Sequence, residues 1–112
     1  MTDAALDLSR LAKLQKLGGA PLVTSLIDSF LAEGGARRAA LAGEDPDAVA
    51  QVAHTLVASA GQLGAVPLAA EAQALDEAHR WHDNEGARQI AARMLTTYDD
   101  ALAALRRYRE TV

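Results

Sequence analysis

Apolar residues recur at intervals of three and four along most of this chain, and the runs are cut by breaks rich in glycine and proline. The breaks fall at Gly18-Gly19, Gly34-Gly35, Gly43 through Pro46, Gly61 through Pro67, and His82 through Gly86. Leu8, Leu11, Leu14 and Leu17 predict a short first helix from about Leu6 to Leu17. Val23, Leu26, Ile27, Phe30 and Leu41 predict a second from about Pro21 to Leu41, with Pro21 in a first turn where its missing N–H costs nothing. Gly34 lies on that same face, where it either weakens the helix or lets a neighbour approach closely.

The third helix has a marked start. Asp45 can cap the free N–H groups, Pro46 suits the first turn, and Asp47 complements the helix dipole. Val49, Val52, Ala53, Leu56, Ala60 and Leu63 form its stripe, and Gly61 and Gly64 end it. A fourth helix opens near Val66-Pro67 and uses Leu68, Ala72, Leu75 and His79. The fifth, from about Asn84 to Tyr108, carries Ala87, Ile90, Ala91, Met94, Leu95, Tyr98, Leu102 and Leu105. Four amphipathic helices with short loops bury their stripes most simply as an all-α, antiparallel up-and-down four-helix bundle. The short first helix covers one end.

Composition narrows the function classes. The 112 residues fit one domain spanning 1–112, and an alanine content near a quarter favours helix. The net charge of −4 argues against nucleic acid and anionic membrane surfaces as partners. Absence of cysteine excludes thiol chemistry and Cys-ligated metal. The polar stretch Met1 to Ala5 does not read as a signal peptide, and no apolar run approaches a membrane span, so the expected location is cytoplasmic.

Chemistry enters with His54. At ~100° per residue it stands roughly 150° from the centre of the third helix's apolar stripe, and therefore faces solvent. Its neighbours on the helix surface are Asp47, Ala50, Gln51, Val57, Ala58 and Gly61, most of them small. Another protein can approach such a surface closely. An imidazole with an ordinary pKa of about 6.5 is largely neutral near pH 7 and is a nucleophile able to hold a phosphoryl group. By geometry alone a surface histidine with no role is an equal reading.

The stretch AHTLVASAGQLGA, residues 53–65, resembles the histidine-containing phosphotransfer (HPt) family, whose pattern is roughly AHxLKGSAxxLGA. Ala53, His54, Leu56, Ser59, Ala60, Leu63, Gly64 and Ala65 match. LIDSFLAEGGARRAAL, from Leu26 to Leu41, looks like the family's second helix, and GEDPDAVAQVAH like its approach to the histidine. The resemblance implies a four-helix bundle with an N-terminal helix. It implies a carrier in a bacterial two-component phosphorelay, with His54 as phosphoacceptor and Ala50, Gln51, Val57, Ala58 and Gly61 as the receiver-docking face. Its partners would be response-regulator receiver domains and a hybrid histidine kinase. Mg²⁺ would sit on the receiver, with no cofactor or metal bound by this chain, which would act as a monomer without kinase activity of its own.

Two positions depart from the pattern. Val57 stands where the family usually has Lys, and Ala58 where it usually has Gly. They keep an alternative open, an interaction module that binds a receiver or kinase without being phosphorylated. Gln73 and Arg80 share one side of the fourth helix, from which either could reach a phosphoryl group. His79, Trp81, His82 and Asp83 cluster at that helix's end, where two histidines and a carboxylate suggest a metal site. The plainer reading puts His79 on the apolar stripe and Trp81 over the end of the bundle. Arg106, Arg107 and Arg109 read as charges favoured in a last helical turn.

Overall fold

A computed structural model describes residues 4–112. Met1, Thr2 and Asp3, part of the polar N-terminus noted above, lie outside the described residues. Four helices follow in order: α1 (Leu8–Ala42), α2 (Pro46–Gln62), α3 (Val66–Arg80) and α4 (Asn84–Thr111). The two helices expected on either side of Gly18-Gly19 are joined end to end within α1. The join is a kink, because Gly19 at φ 74°, ψ −178° is not helical. The first arm begins two residues later than expected. Asp7 caps it, its side chain accepting from the N–H of Ser9, and Leu6 is buried ahead of it.

The other starts follow their caps. Asp45 accepts from the N–H groups of Asp47 and Ala48, and Asp83 accepts from that of Gly86. Each satisfies donors that the first helical turn leaves without partners.

Cross-helix contacts show an antiparallel register. His54 meets Asp76 and Asp47 meets His79 between α2 and α3. Thr97 of α4 donates to Glu71 of α3. Arg38 pairs with Asp99 and Arg109 with Asp28, closing α4 against α1. Between α2 and α3, and between α1 and α4, one number rises as the other falls, as an up-and-down bundle requires. Arg109 therefore serves as a tie between helices as well as a last-turn cation.

Leu11, Val23, Ile27, Leu56, Leu68, Leu75, Met94, Tyr98 and Leu105 are the large side chains sealed in the centre. Burying one such side chain stabilises the fold by about 1.5–3 kcal/mol. Gly34 resolves in favour of close approach. A Cβ there would stand 3.1 Å from Leu102 Cδ2, so its absence lets α4 pack tightly on α1.

Two apolar expectations fail. Leu17 is 82% exposed, because the first arm is anchored at its Asp7 end and its cover fades toward the Gly19 kink. Trp81 is 77% exposed instead of covering the bundle end. It is the C-cap of α3, and the next residue, His82, turns the chain away at φ 58°.

Candidate functional site

The site is a convex helical face built on α2 and α3. Asp45 and Pro46 set the start of α2 and hence its rotational phase. That phase buries Val49, Ala53, Leu56 and Ala60 and turns His54 outward, with 72% of its side chain exposed. Gln51 and Ala58, one turn to either side, are also exposed. Ala58 presents a methyl group, so nothing bulky on this helix shields the ring there.

The other expected face residues divide. Gly61 is half-buried in the seam with α3, where a Cβ would lie 3.9 Å from that of Ala69. Its carbonyl accepts from Arg10 Nη1 at 3.1 Å, which brings the first arm of α1 to the edge of the face. Val57 is partly buried and packs against the core. At ~100° per residue it lies between the buried stripe and His54, which makes it a seam residue first and a docking residue second. Ala50 is a correction: it is only 8% exposed and offers almost no surface to a partner. The same helical arithmetic places it on the flank nearest the buried stripe.

Asp76, between Gln73 and Arg80 on their stripe, joins the site without any signal in the sequence around His54. Its Oδ1 stands 3.5 Å from Nδ1 of His54, and its Oδ2 accepts from Arg80 Nη2 at 2.8 Å. Asp76 is 21% exposed, against 70% for Arg80, so the carboxylate is the sheltered middle member of a three-residue chain. The i,i+4 pair of Asp76 and Arg80 was legible from spacing. Its meeting with His54 was not, because that depends on the register of α3 against α2. Gln73 is exposed and makes no bond to His54.

This arrangement has a direct chemical consequence. The Asp76 oxygen lies at ion-pair distance from Nδ1, and a proton carried on that nitrogen leaves the lone pair of Nε2 free. In that tautomer the ring is a nucleophile presented at Nε2. The nearby hydroxyls do not compete for it. Thr55 Oγ1 donates to the carbonyl of Gln51 and Ser59 Oγ to that of Thr55, both along their own helix.

A hollow at the bundle end lies elsewhere. It encloses about 570 Å³ among Leu41, Pro46, Val49, Leu75, His79 and Leu95, and His54 does not line it. A reactive group on an open ridge, away from the concavity, suits a macromolecular partner better than a small substrate. His79 is partly exposed there and stands 3.9 Å from Asp47, while His82 points to solvent. Among the described residues no three His, Asp or Glu side chains converge in a way that would hold a metal ion. No helix among them is long and apolar enough to cross a membrane.

Three comparisons bear on this site. The model of the Hpt domain family matches residues 22–108. The crystal structure of histidine-containing phosphotransfer protein B from Pseudomonas aeruginosa PAO1 superposes with a TM-score of 0.85 at 23% identity. That match covers 99% of each chain and extends the likeness of fold to the first arm of α1. No curated protein matches the sequence.

Proposed function

This chain belongs to the Hpt domain family, the histidine phosphotransfer proteins of phosphorelays, and from that premise we propose that His54 is the residue that carries the phosphoryl group. The observation behind the assignment is its placement. His54 is exposed on a ridge whose phase is set by the buried stripe of α2, with Nδ1 turned to Asp76 and Nε2 left to a partner.

In this reading the Nε2 lone pair attacks the phosphorus of an aspartyl phosphate on a receiver domain. The bond to the aspartyl oxygen breaks and the carboxylate leaves. Transfer to a second receiver is the reverse step. The receivers supply Mg²⁺ and most of the stabilisation of the transferring group, and this chain supplies a positioned nucleophile. It is a carrier and has no kinase activity of its own. It works as a monomer in the cytoplasm, between a hybrid histidine kinase and a response regulator. Apart from Leu17, the apolar stripes are buried or partly buried within one bundle, which supports the monomer. Gln51 and Ala58 form the exposed centre of the docking face, with Gly61 and Val57 at its seam edge.

Incubation with a panel of phosphorylated receiver domains tests the reading. The wild type should acquire an acid-labile, alkali-stable phosphoryl group, and His54→Gln should not. Label retained in that variant would move the site to His79 or His82 and overturn the assignment. Tight receiver binding with no label on the wild type would instead identify an interaction module.

A further inference from the structure

The two oxygens of Asp76 are divided between His54 and Arg80, so a negative charge stands beside a ring that is to carry a dianionic group. A carboxylate there is not what a long-lived phosphohistidine needs. Arg80, one turn further along α3, is engaged by Asp76 at 2.8 Å. Val57, one turn from His54 on its own helix, brings no charge in its place.

Resting on the reading of His54 as phosphoacceptor, we propose that Asp76 sets how long the phosphoryl group stays. It holds the Nδ1 proton on the phosphorylated ring and so makes this chain a short-dwell station rather than a phosphoryl store.

The proton inventory gives the reason. When neutral His54 attacks through Nε2, a P–N bond forms and no proton leaves, so the ring becomes a cation bearing a dianionic phosphoryl group. In the outward step the P–N bond breaks and its electron pair returns to Nε2. If Nδ1 still holds its proton, the leaving group is a neutral imidazole. If that proton has been lost to solvent, the leaving group is an imidazolate, which departs far more slowly. A carboxylate against Nδ1–H favours the cationic ring and therefore the fast route. The charged groups that face His54 are Asp76 and, through it, Arg80 from α3, together with Asp47 two turns away on α2, which stands nearer His79. Among the described residues, Asp76 is the carboxylate paired with Nδ1.

The test uses the full chain loaded on His54 with phosphoramidate, a small-molecule donor that needs no receiver. The decay of phosphohistidine in water, where a water oxygen takes the phosphorus, is followed across pH. Asp76→Asn keeps the size and one acceptor of the side chain but removes its charge. It should lengthen the lifetime at about pH 8 by roughly three- to tenfold, in line with loss of a charge-assisted contact on a largely exposed ring. The pH above which decay slows should fall. Nitrogen NMR of the loaded ring should show Nδ1 losing its proton at lower pH in this variant than in the wild type.

Asp76→Asn also releases Arg80, so the double variant Asp76→Asn/Arg80→Ala separates the two effects. A lengthened lifetime that persists in the double variant supports control through the proton. A lifetime that returns to the wild-type value there would assign the effect to freed Arg80 and overturn the proposal. An unchanged lifetime in Asp76→Asn would overturn it as well. Failure of the wild type to load on His54 at all, with folded protein, would overturn the parent reading and this proposal with it.

Discussion

The N–H of Asp7 donates to the carbonyl of Gly64 at 2.7 Å, so one backbone bond ties the start of α1 to the turn between α2 and α3. The same contact explains the glycine. Gly64 has φ 78°, and a Cβ there would stand 2.6 Å from the carbonyl oxygen of Asp7. Gly64→Ala should therefore cost about 1–3 kcal/mol, through left-handed backbone strain and the broken tie. Urea unfolding measures the cost, and amide exchange should rise along residues 7–18. An unchanged midpoint would mean that the first arm contributes nothing to stability.

Val57 is partly buried beside His54, and this gives a double expectation for Val57→Lys. Loss of apolar burial should lower stability by about 1 kcal/mol. An ammonium group one turn from the phosphoryl group should at the same time lengthen phosphohistidine lifetime, by up to about fivefold for an exposed pair. Unfolding curves and the decay of label read the two effects separately. A variant with normal stability and normal lifetime would show that position 57 bears on neither.

Tyr98 is sealed in the core against Phe30, with ring centroids 5.8 Å apart. Burial pushes its phenol pKa up, and Arg37 lies near enough to oppose that shift. Even so, the hydroxyl has no hydrogen bond of ordinary geometry among the described residues. Tyr98→Phe should then be within about 0.5 kcal/mol of the wild type or more stable, because it removes an unsatisfied polar group. Tyr98→Ala should cost about 3–5 kcal/mol through the cavity it leaves. A large loss in Tyr98→Phe would reveal a bonded hydroxyl.

Acid should weaken the fold through two exposed carboxylates. The hydrogen bond from Ser9 holds Asp7 below the usual carboxylate range, and that from Arg38 does the same for Asp99. A depressed folded-state pKa contributes stability that is complete above the unfolded value, about 3.9 for aspartate, and is lost as pH falls through the folded value. The double variant Asp7→Asn/Asp99→Asn should accordingly show a smaller drop in melting temperature between pH 7 and pH 3 than the wild type. An equal drop in both would place the acid sensitivity in other groups.

The helical stripes, the Asp45 cap and the outward phase of His54 were legible in the sequence because they are local. A stripe repeating every three to four residues fixes which side of α2 is buried, and Asp45-Pro46 fixes where it starts. The HPt-like stretch around His54 was legible for the same reason, since it lies on one helix. Long-range relationships were not. Asp76 reaches His54 only because α3 runs antiparallel to α2 in one register, and no spacing within either helix encodes that offset. Ala50 and Val57 flank His54 on paper, yet the packed neighbours put Ala50 under cover and leave Val57 half-buried. Trp81 looked like a lid because it is large and apolar, but the C-cap geometry of α3 and the positive φ of His82 aim it outward. Periodicity tells a helix which face to bury, whereas the approach of a second helix decides how far that burial extends and which side chains meet across the seam.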